Sequence, residues 1–254
     1  DVSIAGGESK FYPCLFENEF IPQVSDLEAL VDEQTVAILY NFPSNPTGGT
    51  LDVSQRNELL EFAKKHNLWI ISDEVYDRIV FDGPHVSFMG AGYDRVLIVN
   101  SFSKTFAMTG WRMGYIISSN LYAMLQVTKM QYYIAACSND AMQHAILATM
   151  VHASDYPDMV AAEFKQRRDL IVDRLNAMPG VECHKPQGAI YVFPKITVPG
   201  MNSQDLALEF LKDGVLCSPG SAFGPSGEGH LRFAYTISQE DIIRGMDKVE
   251  STLD

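Results

Sequence analysis

The hydrophobic and polar positions in the first half of the chain form short apolar runs separated by segments with helical spacing. The apolar runs predict strands over residues 35–42, 68–73, 95–101 and 111–118. Between the first two runs, residues 53–67 have the apolar spacing of a helix, with Ser54 predicted as its N-cap. Strands that alternate with helices are typical of a largely parallel α/β sheet, which binds its ligands at the carboxyl ends of the strands.

The pattern changes after about residue 119. Helical spacing predicts helices over residues 121–136, 140–153, 158–178, 203–213 and 239–253. Shorter apolar segments lie at residues 181–186, 189–196, 215–218 and 230–235. This part of the chain is typical of a small α+β domain that a long helix joins to the first. We therefore predict two domains, at residues 1–153 and 154–254.

Composition narrows the class of protein. The 254 residues are 46% hydrophobic and 20% charged, as in a globular protein, and the net charge of −13 argues against nucleic acids and anionic membranes as partners. We expect no signal peptide, and no run of the sequence is long enough to span a membrane. The four cysteines are widely separated and the six histidines show no ligand spacing. We expect a cytoplasmic protein with free thiols and no metal site.

Polar side chains follow three of the predicted strands. Asn45, Asp73 and Ser101 lie at or just beyond strand ends, and Lys104 follows shortly after, so these groups can converge on one crevice. Each is ambiguous alone: residues 45–48 (NPTG) are typical of a turn, and an acid at a strand end can simply cap the next helix. The combination, in this order, is much harder to explain by chance.

The stretch SFSKTFAMTGWRMGY, residues 101–115, holds only two charged side chains, Lys104 and Arg112. A cation in apolar surroundings is costly unless an anion or a covalent partner accompanies it. A desolvated lysine loses its proton and becomes a nucleophile, whereas an arginine keeps its charge and binds carboxylates or phosphates. The stretch therefore indicates one ligand that requires both groups.

This ordered set of motifs resembles the class I/II aminotransferases, the pyridoxal 5′-phosphate enzymes of fold type I, and especially the aspartate and aromatic types. The similarity runs over essentially the whole chain, and the Lys104 segment is its most specific part. The resemblance implies an α/β fold with a mostly parallel sheet flanked by helices in the large domain, plus a small C-terminal α+β domain. It also implies a homodimer that transfers an amino group between an α-amino acid and a 2-oxo acid.

The resemblance assigns roles around the cofactor ring. Lys104 would form the Schiff base with the cofactor aldehyde, and one phosphorylated aldehyde would account for both cations of the stretch. Asp73 would pair with the pyridine nitrogen and keep it protonated. Tyr76 and Asn45 would hydrogen-bond the phenolic oxygen.

The resemblance also assigns the groups that bind anions. Arg112 and Ser101 would hold the phosphate, with Ser103 a lesser candidate, because a planar guanidinium suits a dianion. Arg232 would grip the α-carboxylate of the substrate, with Asn45 beside it. That grip would hold the Cα proton toward the Lys104 amine, the general base.

The chain departs from the family pattern in two places. It starts later than the family pattern does. It lacks the part in which relatives carry a small-residue turn that binds the phosphate, an aromatic side chain that stacks on the cofactor ring, and a tyrosine that reaches the phosphate of the neighbouring subunit. We therefore expect a fragment or truncated product, or a longer natural protein. Some aspartate-specific relatives also carry an arginine four residues before a Ser-Asn pair, where this chain has Ile134 before Ser138-Asn139. An acidic substrate side chain would need another binding group.

Two other functions stay open. The same cofactor serves other reactions, so a β-lyase or a synthase is the first alternative. A catalytically incomplete fragment that only binds is the second. The glycine-rich segment at residues 220–229 precedes a predicted strand, and we expect it to form a loop near the substrate instead of a phosphate cradle.

Overall fold

A computed structural model describes residues 2–253 of the chain. Its helices are α1 (Val24–Leu30), α2 (Val53–Lys65), α3 (Phe102–Thr105), α4 (Leu121–Ala135), α5 (Asp140–His152), α6 (Tyr156–Asn176), α7 (Ser203–Lys212) and α8 (Gln239–Leu253). Its strands are β1 (Ala37–Asn41), β2 (Trp69–Asp73), β3 (Val96–Ser101), β4 (Gly114–Ile117), β5 (Val181–Glu182), β6 (Tyr191–Val192), β7 (Lys195–Ile196), β8 (Ser218–Pro219) and β9 (Leu231–Ala234).

The chain divides into two compact units. The sheet unit comprises Val36–Arg168 and Pro186–Ile190, and the terminal unit comprises Asp1–Thr35, Asp169–Lys185 and Tyr191–Asp254. The boundary between them falls inside α6. These two units differ in their bounds from the two domains predicted at residues 1–153 and 154–254. That division into domains stays a prediction.

The sheet unit is built on four strands in the order β1-β2-β3-β4. β1, β2 and β3 are parallel, and β4 is antiparallel to β3. The four predicted strands and the largely parallel sheet are confirmed. The predicted strand over 111–118 is shorter than expected, because a 3-10 turn occupies Thr109–Trp111 and Arg112 has a left-handed backbone with φ 55°.

Helix α2 begins at a different cap from the one predicted. Asp52 Oδ1 accepts a hydrogen bond from Gln55 N at 2.8 Å, and Gln55 Oε1 accepts one from Asp52 N at 2.9 Å. The prediction of Ser54 as the N-cap is wrong. This reciprocal capping box satisfies two backbone donors at once, and Ser54 instead lies inside the helix, where its hydroxyl contacts Glu58.

The predicted helices over 121–136 and 140–153 are confirmed as α4 and α5. Each starts at an asparagine: Asn120 Oδ1 accepts from Ala123 N at 2.9 Å, and Asn139 Oδ1 accepts from Met142 N at 3.1 Å. No residue of α4, all of which the structure describes, is buried. The large apolar side chains exposed on these helices include Leu121, Tyr122, Leu125, Tyr132, Tyr133, Ile134, Leu147 and Val151.

The terminal unit combines two small antiparallel sheets with helices α1, α7 and α8. One sheet has the order β6-β9-β8 and the other pairs β5 with β7. In the first sheet, Ser218 on β8 lies opposite Arg232 on β9. Among residues 2–253, no helix combines the length and the apolar character needed to cross a bilayer.

The glycine-rich segment at residues 220–229 follows β8 as two short 3-10 turns. A Cβ on Gly220 would overlap the carbonyl oxygen of Gly227. The two turns can therefore approach this closely only because both positions are glycine. Its expected position near the substrate stays a prediction.

Candidate active site

The carboxyl ends of three strands meet at one edge of the sheet unit. In the parallel register, Asn41 at the end of β1 lies opposite Asp73 at the end of β2, and Asp73 lies opposite Val99 on β3. Ser101, which ends β3, comes two residues after Val99. The strand ends predicted to carry polar side chains are therefore neighbours.

Asn41 joins two of the predicted motifs, although the sequence analysis missed it. Its Nδ2 donates to the carbonyl oxygen of Asp73 at 3.3 Å, and its Oδ1 accepts from the backbone N–H of Asn45 at 2.8 Å. The side chain thus ties the turn at residues 45–48 to the end of β2. The one available signal was an amide side chain at the end of an apolar run.

Asp73 is half-buried at the end of β2. Its Oδ1 accepts a hydrogen bond from the backbone N–H of Val75 at 3.3 Å. Burial raises the pKa of Asp73 above its usual value, the Val75 hydrogen bond offsets part of this effect, and the nearby Glu74 carboxylate raises the pKa further. A cation placed against Asp73 would stabilise its charged form.

Tyr76 and Lys104 come together beside this edge. Tyr76 lies in the turn after β2 and is buried, and Lys104 lies in the single turn of α3 directly after β3. The Lys104 Nζ is 5.6 Å from the centre of the Tyr76 ring. An amine and a phenol from two adjacent strand ends therefore lie close to each other.

Ser101 organises the segment that contains Lys104. Its Oγ caps α3 by accepting from Ser103 N at 3.1 Å, and it donates to the carbonyl oxygen of Met113 at 3.1 Å. This second bond brings the residue after Arg112 next to Ser101. Arg112 itself is exposed, and its Nη1 donates to the carbonyl oxygen of Thr109 at 2.9 Å.

Asp77 is a further buried carboxylate that the sequence analysis did not single out. It is hydrogen-bonded to the side chain of Asn100, but its Oδ1 is buried with no hydrogen-bond partner within residues 2–253. Burial raises the pKa of Asp77, and the Asn100 bond and the nearby His85 offset part of this effect. The end of β2 and the turn after it therefore carry two acids whose pKa values are raised by burial, Asp73 and Asp77.

Arg232 lies on β9 in the terminal unit, apart from the other predicted residues in the chain. Its Nη2 donates to Ser218 Oγ at 3.0 Å. Its Cζ lies 4.6 Å from the centre of the Tyr191 ring and 5.0 Å from that of Phe223. The guanidinium thus contacts two aromatic rings, which the sequence analysis did not anticipate.

The sequence is similar to known proteins along nearly its whole length. Residues 1–249 match the family described as "Aminotransferase class I and II". Aromatic-amino-acid aminotransferase 2 of Thermococcus litoralis is 36% identical over 99% of this chain and 66% of that protein. The aspartate aminotransferase of Pyrococcus abyssi is 37% identical, with the same coverage of each chain. The chain therefore spans about two thirds of the length of these relatives, 66% in each case.

Solved structures give the same result. The crystal structure of an aromatic aminotransferase from Pyrococcus horikoshii superposes with a TM-score of 0.94 at 36% identity, covering 99% of this chain and 69% of that one. An aspartate aminotransferase double mutant from Thermus thermophilus superposes with a TM-score of 0.93 at 27% identity, covering 99% and 66%.

Proposed function

The chain belongs to the class I and II aminotransferase family and has its fold type I architecture, and we propose that the whole protein is a pyridoxal 5′-phosphate-dependent aminotransferase. It would move an amino group between an α-amino acid and a 2-oxo acid. The observation that carries the proposal is the Lys104 amine beside Tyr76, at the sheet edge where Asp73 ends β2.

Asp73 provides a test of whether the site fits this cofactor. Its carboxylate is half-buried, and burial raises its pKa, so its charged form lacks the solvation it has in water. A protonated pyridine nitrogen is a cation of the kind that would offset this cost. The residues therefore fit the group, and Asp73 is the residue that would hold the proton on that nitrogen.

Lys104 would attach the cofactor through its amine and later act as the general base. Bound pyridoxal 5′-phosphate supplies an electron sink for the negative charge that develops at the substrate Cα. Lys104 Nζ would act as the general base that takes the proton from the substrate Cα. Tyr76 and Asn45 would donate hydrogen bonds to the phenolic oxygen of the ring.

The phosphate would be held by Arg112 and Ser101, with Ser103 as a lesser contributor. The exposed Arg112 guanidinium offers a planar set of donors that matches a dianion. The Ser101 hydroxyl accepts from Ser103 N and donates its one proton to the carbonyl oxygen of Met113, so backbone groups hold it on two sides. It would bind the phosphate by turning this proton from the Met113 carbonyl oxygen to a phosphate oxygen.

Arg232 would bind the α-carboxylate of the substrate, with Asn45 contacting the same ligand. The Tyr191 and Phe223 rings and the Ser218 hydroxyl restrict the guanidinium, which lowers the entropy lost when a carboxylate binds. An α-carboxylate held in this way would present its Cα proton in a defined direction.

We also propose a cytoplasmic homodimer. The four cysteines are widely separated and form no CxxC pair, which favours a reducing compartment. The large apolar side chains exposed on α4 and α5 favour an assembled protein, because a folded protein rarely leaves a large apolar patch open to solvent.

The test is a half-reaction of the full-length protein loaded with pyridoxal 5′-phosphate. Addition of single amino acids should convert the bound cofactor to its aminated form and release the matching 2-oxo acid. Release of pyruvate with ammonia would instead identify a β-lyase. Stable cofactor binding with no conversion by any α-amino acid would identify a protein that only binds.

A further inference from the structure

A buried polar cluster lies directly beside the candidate active site, and no role in the proposed reaction accounts for it. Glu74, the residue after Asp73, is 3% exposed, and Ser72 is 2% exposed. Glu74 Oε2 lies 2.8 Å from His85 Nε2, and Glu74 Oε1 accepts from Ser72 Oγ at 2.8 Å. Oε1 also accepts from the backbone N–H of Phe88 at 3.2 Å. We call these four residues the Glu74 cluster.

The cluster keeps Glu74 ionised despite its burial. Burial alone would raise the pKa of Glu74, but hydrogen bonds from His85, Ser87 and Ser72 lower it below its usual value. A buried carboxylate with this many donors is held in one orientation, because any rotation would leave a charged oxygen without a partner.

The orientation of Glu74 constrains the turn that carries the candidate site. The backbone N–H of Glu74 donates to the carbonyl oxygen of Val99 at 2.9 Å, and the next residue, Val75, donates its N–H to the Asp73 carboxylate. Tyr76, which lies against Lys104, is the residue after that. Glu74 therefore adds buried side-chain contacts that fix the Asp73–Tyr76 turn, beside the bond from Asn41 to the Asp73 carbonyl oxygen.

Two of the groups that contact the Glu74 carboxylate, His85 Nε2 and the backbone N–H of Phe88, belong to the loop at residues 82–94. Further contacts hold this loop in place. The Phe88 ring stacks on the Tyr40 ring of β1 with centroids 5.2 Å apart. At the far end of the loop, Tyr93 donates its hydroxyl proton to the carbonyl oxygen of Leu68 at 2.7 Å. Asp82 at the start of the loop is bonded to Lys165 and Arg168, so the loop is held at several points. The contacts from His85 and Phe88 are those that connect it to the Asp73–Tyr76 turn through Glu74.

We propose that His85 and Glu74 are positioning residues for the cofactor site. Their buried hydrogen bond sets the orientation of the Asp73–Tyr76 turn and so aims the Asp73 carboxylate at the cofactor ring. Neither side chain is assigned a contact with the cofactor or the substrate. This inference rests on the proposed function.

The test compares two substitutions of His85 in the full-length protein. His85→Leu removes the donor to Glu74, and it should raise the Kd for pyridoxal 5′-phosphate by about tenfold, as expected for the loss of a group that orients a binding residue. It should also weaken the circular dichroism of the bound cofactor, which reports the orientation of the ring. His85→Gln keeps an N–H donor near the position of Nε2 and should restore both values.

The matched control is Tyr93→Phe. It removes the hydrogen bond from the Tyr93 hydroxyl to the carbonyl oxygen of Leu68, which holds the same loop at the end that does not contact Glu74. It should leave the Kd within about twofold of the original value, even if it lowers the melting temperature as much as His85→Leu does. Equal effects of His85→Leu and Tyr93→Phe on Kd and circular dichroism would overturn the inference, because loop order alone would then explain them.

Ser72→Ala serves where His85→Leu does not fold. It removes one of the bonds to Glu74 Oε1 and should shift the Kd and the circular dichroism in the same direction by a smaller amount. An unchanged Kd and spectrum in whichever of the two variants folds would overturn the inference. Failure of the unsubstituted protein to bind pyridoxal 5′-phosphate would instead overturn the proposed function, so the two failures are distinguishable.

Discussion

Lys104 Nζ lies 5.6 Å from the centre of the Tyr76 ring, although the two residues follow different strands. The parallel pairing of β2 with β3 accounts for this approach, because it brings the ends of both strands to one edge of the sheet. The amine therefore lies beside a phenol and close to the strand end that Asp73 occupies. The predictions below concern the chemistry of this edge.

The first prediction is that Lys104 carries the cofactor. Borohydride treatment of the loaded full-length protein should fix the cofactor irreversibly to this side chain, and Lys104→Ala should abolish the fixed label. Peptide mapping by mass spectrometry gives the position. Lys129 and Lys185 serve as internal controls, and a label on either of them would contradict the assignment.

The second prediction concerns the reaction step that Asp73 supports. Asp73→Asn should still bind cofactor at saturating concentration, with a Kd raised by at least about tenfold. It should lower kcat by at least about a hundredfold, equal to ~2.7 kcal/mol in the barrier, because an unprotonated ring is a poor electron sink. Single-turnover kinetics with an amino acid deuterated at Cα would show whether proton removal is the slowed step. Near-normal turnover by this variant would rule out the proposed role.

The third prediction concerns the stability of the cofactor-free protein as a function of pH. Because the folded-state pKa of Asp73 is raised, the native state binds more protons than the unfolded state, and ionisation of Asp73 destabilises the fold as pH rises. Asp73→Asn should therefore increase the free energy of unfolding at neutral pH, with the gain disappearing below about pH 4. Urea unfolding at a series of pH values provides the measurement.

Asp82→Asn is the control of opposite sign. Hydrogen bonds from Lys165 and Arg168 lower the pKa of Asp82 to about 2, so its charge stabilises the fold above the usual carboxylate pKa. This variant should lose stability at neutral pH, and the loss should fade as the pH falls from about 4 towards 2. The same sign for both variants would contradict the prediction.

The fourth prediction separates the two arginines, beginning with Arg112. Arg112→Leu should weaken retention of the cofactor, because the phosphate would lose a cation beside the apolar side chains of its segment. Equilibrium dialysis of pyridoxal 5′-phosphate gives the Kd directly. A Kd equal to that of the unsubstituted protein would exclude Arg112 from the phosphate site.

Arg232→Leu should instead leave the cofactor in place. It should raise KM and lower kcat for α-amino acids, because a loosely held carboxylate misaligns the Cα–H bond. The matched control is an amine that lacks the carboxylate, whose kcat/KM should change little. An equal loss of activity on the amino acid and on this amine would make Arg232 a structural residue.

The sequence by itself determined most of the secondary structure, because the spacing of apolar residues is a local property. The four strands of the sheet unit and helices α4 and α5 followed from that spacing alone. The cap of α2 did not follow, because Asp52 and Ser54 are both good capping residues. The choice between them depended on the bond that Gln55 makes back to Asp52.

The motif order also determined the family and the identity of the candidate residues, but only the tertiary structure decided how they are supported. The bonds of Asn41 to Asp73, of Glu74 to His85 and of Arg232 to Ser218 join residues 32, 11 and 14 positions apart. Such pairs meet only when strand register and loop packing have been set. The sequence therefore named the candidate side chains, whereas the fold determined which side chains hold them in place, because those contacts depend on distance in space and not on spacing along the chain.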